Sequence, residues 1–303
     1  MKEYLKVLGQ KKPFIFLDQL IYRFSAHHIT GNAAEMTYFL ILSVFPFIIV
    51  LLNALSYTSL GSEEVIMNMI RYVPGEIQNI ISGFVKDVVS GSSQGLLSIA
   101  ALGGLWTASN GLRAIIRSLN EAYECSENRS FLKQRGISIL FTLALILMII
   151  VVFVALVFGE LIGRFVFDLL NLGDAFKTIW FYLRFIIPLI FLVLTFTLLY
   201  KFSPNVDNGG KIKIKEALPG AVFASFAWLV LSTLFSFYVS NFGNYSVTYG
   251  SLGGVIIMLV WLFISSIVIV LGGEINATLE SLRERNYTRD PNRSIFKNIV
   301  DKK

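Results

Sequence analysis

The stretch ALPGAVFASFAWLVLSTLFSFYVSNFGNYSVTYGSLGGVIIMLVWLFISSIVIVLGG, residues 217–273, contains no Asp, Glu, Lys or Arg between Glu216 and Glu274. One helix needs about 20 apolar residues to cross the hydrocarbon of a bilayer, so this run holds two spans and a short connection. The polar, uncharged residues from Ser240 to Ser251 supply the connection. The reading places spans at 217–239, with Pro219 in the first turn, and at 252–273. An outer-membrane barrel would alternate polar and apolar residues over segments of about 10. The apolar runs here are unbroken, and the predicted fold class is an all-α membrane protein.

The rest of the chain extends this pattern. Of its 303 residues 55% are apolar and 15% charged, whereas soluble domains carry about 25% charged residues. Four further spans are predicted at 34–57, 88–112, 137–159 and 180–200. Pro46 and Pro188 fall inside the first and fourth, where neighbouring helices tolerate a kink. The second is rich in Ser and Gly, including Gly103-Gly104, which suits a helix packed inside the bundle. Its helix is predicted to run on past the membrane through Arg113 to Tyr123. Residues 62–92 read as two short amphipathic helices in the first outer loop, divided at Pro74-Gly75. The predicted organisation is an amphipathic N-terminal helix (1–30), a six-span bundle (31–280) and a basic tail (281–303).

Orientation follows from Lys and Arg, which concentrate on cytoplasmic flanks. With the N-terminus inside, five lie in the N-tail (Lys2, Lys6, Lys11, Lys12, Arg23) and five between spans two and three (Arg113, Arg117, Arg129, Lys133, Arg135). Four lie between spans four and five (Lys201, Lys211, Lys213, Lys215) and seven in the C-tail. The outer side keeps Arg71, Lys86, Arg164, Lys177 and Arg184. Both termini are therefore expected in the cytoplasm, with the protein in the cytoplasmic (inner) membrane. The basic balance is explained by this bias, and nucleic acid is not expected as a partner. The expected partners are the bilayer and anionic headgroups, met by the N-terminal helix, and a homo-oligomer is compatible with the Gly159-x-x-x-Gly163 packing motif. The single cysteine, Cys125, leaves no intramolecular disulfide. The first 30 residues do not resemble a cleavable signal.

Several motifs are distinctive in order and spacing. They are Ala33-Ala34-Glu35-Met36-Thr37-Tyr38 before Leu42-Ser43-Val44-Phe45-Pro46, and Leu105-Trp106 through Ser109 to Arg113 before Leu119-Asn120-Glu121-Ala122-Tyr123. Tyr200 to Asn205, Leu218-Pro219-Gly220-Ala221, Asn244-Tyr245, Thr248 to Ser251, Trp261 and Leu271 to Asn276 follow. From about residue 14 to 280 the chain resembles the YihY/BrkB family of bacterial membrane proteins. Glu35 departs from the small or apolar residue expected there. The resemblance implies a polytopic inner-membrane protein linked by name to virulence and envelope integrity. An old ribonuclease label has attached to the family, and the sequence gives it no support.

Charges in or beside a bilayer cost a few kcal/mol on insertion scales and so are candidate functional groups. Glu35, Arg113, Arg117, Glu274 and Asn276 are placed at the inner ends of spans one, two and six. Glu160, Arg164 and Arg184 are placed at the outer ends of spans three and four, and Asn244 and Tyr249 in the last outer turn. One reading makes them gates flanking a polar path, and the other has each snorkelling to its interface or held in a static ion pair. His27 and His28 are adjacent and cannot both face one metal. Neither a phosphate-binding loop nor a nucleophile elbow is present, so no metal, cofactor or enzymatic activity is expected. The function expected is movement of a lipid or small solute without an ATPase of its own, in envelope maintenance. The alternative is a scaffold that recruits envelope partners or anionic lipid.

Overall fold

The computed structural model describes residues 11–56, 94–157, 174–206, 211–242, 252–288, 290 and 293–295. Among the described residues the secondary structure is helical: α1 Lys12–Ala26, α2 Ile29–Ser56, α3 Gln94–Ala122, α4 Phe131–Val157, α5 Asp174–Phe202, α6 Ile214–Phe242 and α7 Gly253–Glu284. Each predicted span coincides with a helix as far as it is described. The outer-loop helices expected within 62–92 lie outside the described residues. Three helical segments are long and apolar enough to cross a membrane, Phe131–Met148, Ile214–Asn241 and Gly253–Glu284, and Ile186–Phe202 is a shorter apolar one.

The ends of the helices follow from local chemistry. Pro13 opens α1, where its missing N–H costs nothing. Between α1 and α2 the chain turns at His27 and at His28, whose φ of 45° is left-handed. At the end of α3 the Cys125 N–H reaches the Asn120 carbonyl at 2.8 Å and the Glu124 N–H that of Glu121 at 3.0 Å. That is a Schellman ending, with Glu124 at φ 55° in the place glycine usually takes. Asn286, at φ 50°, ends α7 in the same way. At the start of α6 the Glu216 carboxylate accepts the Lys213 N–H at 2.7 Å, one half of a capping box.

Two compact units divide the chain. One comprises Met1–Asn32, Ile115–Leu229 and Ile267–Lys303, the other Ala33–Ala114 and Val230–Ser266. The first is held by small residues. Gly220 of α6 lies against Gly272 of α7 so closely that a Cβ on either would meet the other's carbonyl. Ala217, Ala221 and Ala224, all fully buried, continue that seam. Such stripes let backbones approach where lipid offers no hydrophobic drive. The Asn276 side chain spans it, accepting the Gly220 N–H at 2.7 Å and donating to the Ala217 carbonyl at 2.8 Å. The Tyr200 hydroxyl of α5 donates to the Ile269 carbonyl at 2.6 Å. In the second unit Gly111 of α3 packs on Met36 and Phe39 of α2, and Trp261 donates to Ser232 at 3.2 Å.

Burial runs opposite to that of a soluble protein. Only 11% of the apolar segment of α6 is buried, and Phe226, Val230, Leu234 and Phe237 face outward. Ser109, Ser138, Ser225 and Ser266 are fully buried instead. Ser138, Ser225 and Ser266 each donate to the carbonyl four residues back, so these hydroxyls are paired within their own helices. An apolar exterior around a small, hydroxyl-rich interior is the arrangement a bilayer selects.

Candidate functional site

Gln19, Arg23 and His27 are spaced by four, so they line one face of α1 and the turn that follows it. Arg23 is 2% exposed. One guanidinium nitrogen donates to the Ala122 carbonyl at 2.6 Å, where the Schellman ending of α3 leaves an acceptor. The same nitrogen is 3.7 Å from Oε2 of Glu274, and the other is 3.3 Å from Oε1 of Glu124. Glu274, 1% exposed on α7, receives His27 Nδ1 at 2.5 Å on its other oxygen. Burial lowers the pKa of Arg23, and the charges of Glu274 and Glu124 oppose that shift.

The cluster extends to the C-terminal segment. Arg293 forms a two-pronged pair with Glu124, one prong at 2.8 Å. Its hydrogen bond holds the Glu124 carboxyl below the usual range. Ser294 Oγ and the Ile295 N–H reach Asp18 of α1 at 2.7 and 3.0 Å. Residues that the sequence presents only as a basic tail therefore bind α1, the first described helix. A neighbouring network ties α3 to α5. Asn120 accepts the Asn205 N–H at 2.7 Å and donates to Glu127 at 2.8 Å, while Arg129 grips Glu127 and the Ser203 carbonyl, the latter at 2.7 Å. The Leu119–Tyr123 and Tyr200–Asn205 motifs thus meet each other.

Not every hydrogen-bonding group in the first cluster is used. Among the described residues the Gln19 amide, Arg23 Nε and Glu274 Oε2 are buried without a hydrogen-bond partner. Each such group costs about 1–3 kcal/mol unless something completes it.

Of the residues singled out in the sequence, Glu274 and Asn276 are buried on α7. Two positions apart, they face α1 and α6 respectively, and Asn276 uses both ends of its amide on the α6 backbone. Glu35 and Arg113 are half-buried in the second unit, and Arg117 is exposed on α3. Arg184 lies in α5, its side chain outside the described residues, as are Glu160, Arg164, Asn244 and Tyr249. Sequence reasoning alone does not pick out Arg23 and His27 as partners of Glu274. The signal for them is the spacing of Gln19, Arg23 and His27, four apart and so on one helical face. His27 faces Glu274 while His28 is exposed, so the two imidazoles diverge. Among the described residues no group of three His, Cys, Asp or Glu is placed to hold a metal ion.

Comparison with known proteins agrees with this architecture. The sequence pattern of the family described as virulence factor BrkB matches residues 20–295. A Bacillus subtilis (strain 168) protein named as ribonuclease-like, YfkH, is 40% identical over 89% of this chain and 96% of its own length. A UPF0761 membrane protein of Aliivibrio salmonicida is 30% identical over 88% of this chain and 82% of its own. One from Haemophilus influenzae is 26% identical over 87% and 94%. No solved structure matches the chain. The motifs, the apolar helices and the family pattern covering most of the sequence agree, and the chain is a membrane protein of the virulence factor BrkB family.

Proposed function

We propose that this protein moves a lipid or small solute across the cytoplasmic membrane without an ATPase of its own. It does so through six spans with both termini inside, and the Arg23–His27–Glu274 cluster forms its inner gate. The observation that carries the reading is a buried ion pair, contributed by separate helices, whose neighbouring donors and acceptors stay unspent. The Gln19 amide, Arg23 Nε and Glu274 Oε2 find no hydrogen-bond partner among the described residues, which leaves them open to water, a headgroup or a polar solute. Unspent capacity beside paired charges suits a site that a headgroup or polar solute completes in passing. The positive-inside distribution supports the orientation.

The test is flux through purified protein in liposomes, with a fluorescent phospholipid and a small hydrophilic solute scored side by side. The expected result is movement of one of them at least tenfold above protein-free liposomes. Movement of neither, with the protein folded and inserted, would contradict transport and favour a scaffold.

A further inference from the structure

Helix α1 is built inside out. Its buried residues are Ile15, Asp18, Gln19 and Arg23, while Leu17 and Ile21 are 53% and 49% exposed. A helix bordering water turns its charges outward and its apolar stripe inward. The charges of the inward face are partnered: Asp18 holds Ser294 and Ile295, and Arg23 holds Ala122 and Glu124. Phe14, Leu17, Ile21 and Phe24 recur every three or four residues and form one outward stripe, its outer two half-buried. Only His27 and His28 separate α1 from α2, a helix with exposed Tyr38 and Leu42 that the sequence reads as a span. Connectivity therefore sets α1 at the edge of the bilayer. Lys11 and Lys12 are exposed at its far end, the Lys12 ammonium lying 4.6 Å over the Tyr287 ring.

We infer that the outward stripe of α1 lies in the headgroup–acyl boundary of an anionic leaflet. Leu17 and Ile21 enter the acyl region and Lys11 and Lys12 meet lipid phosphates. An apolar face with a basic end is what an anionic surface binds, through buried area and charge together. This placement stands apart from the transport reading, since a scaffold with the same helix would bind the same surface.

The test uses the full chain carrying Cys125→Ser, with a nitroxide at Leu17→Cys or, separately, Ile21→Cys, in vesicles with and without phosphatidylglycerol. A label at Asn128→Cys, in the exposed α3–α4 connection, reports the aqueous phase. Power saturation should show the labels at 17 and 21 several-fold more accessible to oxygen than to a nickel chelate, and the reverse at 128. Removing the anionic lipid, or introducing Lys11→Glu with Lys12→Glu, should shift 17 and 21 toward the chelate. Labels at 17 and 21 as open to nickel as that at 128 would overturn the proposal. So would dipolar broadening between copies, which would mean that a second chain covers the stripe, or indifference to lipid charge. Two positions carry the test so that a misfolded variant at one leaves the other decisive.

Discussion

Arg23→Ala is expected to lose about 3–5 kcal/mol of stability, because it breaks a buried ion pair and leaves the Glu274 carboxylate with His27 alone. The Ala122 carbonyl also loses its donor. For a chain of this size that corresponds to a fall in Tm on the order of 10 °C, measurable by thermal unfolding in detergent. The double change Arg23→Met with Glu274→Leu removes both charges together and should recover most of the loss. Apolar replacement of a whole buried pair is often neutral or stabilising. Of the neighbouring charges, Glu124 keeps Arg293. A double variant no more stable than Arg23→Ala would mean that the cluster is not held by this pair.

Gly272→Ala should be nearly as damaging although it adds one methyl group. The new Cβ would meet the Tyr200 hydroxyl, lie 2.8 Å from the Gly220 carbonyl and 3.0 Å from the Ala224 Cβ. Two of these neighbours are backbone or helix-bound atoms, so α6 and α7 must separate. Separation strains the Tyr200 bond to Ile269 and both Asn276 bonds to α6. Overpacking and the weakened hydrogen bonds together should cost on the order of 4 kcal/mol. A Cβ added at Gly103 or Gly136 would have nothing within 4 Å, so alanine there should be neutral or stabilise through helix propensity. Equal melting temperatures for Gly272→Ala and Gly136→Ala would refute the seam.

Helices are legible in this sequence because membrane spans are written in composition. The charge-free run from 217 to 273 separates into α6 and α7 wherever its turn residues fall. The extension of α3 past Arg113 is legible too, since apolar and polar residues there follow a helical period. The depth of Glu274 can be read, but not the direction in which it points. A sequence gives position along a helix and the face it shares with residues four away. It does not give which neighbour that face meets, and the contact with His27 spans 247 residues. For the same reason Arg23 reads as one more basic residue of the inner side. The Gly220 and Asn276 motifs are recognisable as motifs, yet their meaning lies in fitting each other across the α6–α7 seam. The bond between Ser294 and Asp18 likewise joins residues 276 positions apart, beyond the reach of helical spacing.

A gate and a strut make opposite demands on the Arg23–Glu274 pair, and the double variant separates them because it is expected to fold. The deciding measurement is flux through liposomes containing Arg23→Met with Glu274→Leu, normalised to correctly inserted, folded protein, beside wild type and a Lys133→Ala control at the exposed start of α4. If the buried charges form the gate, the folded double variant loses at least tenfold in flux while Lys133→Ala stays within twofold of wild type. Wild-type flux through the folded double variant would contradict the gate and leave the cluster a structural joint between α1, α3 and α7.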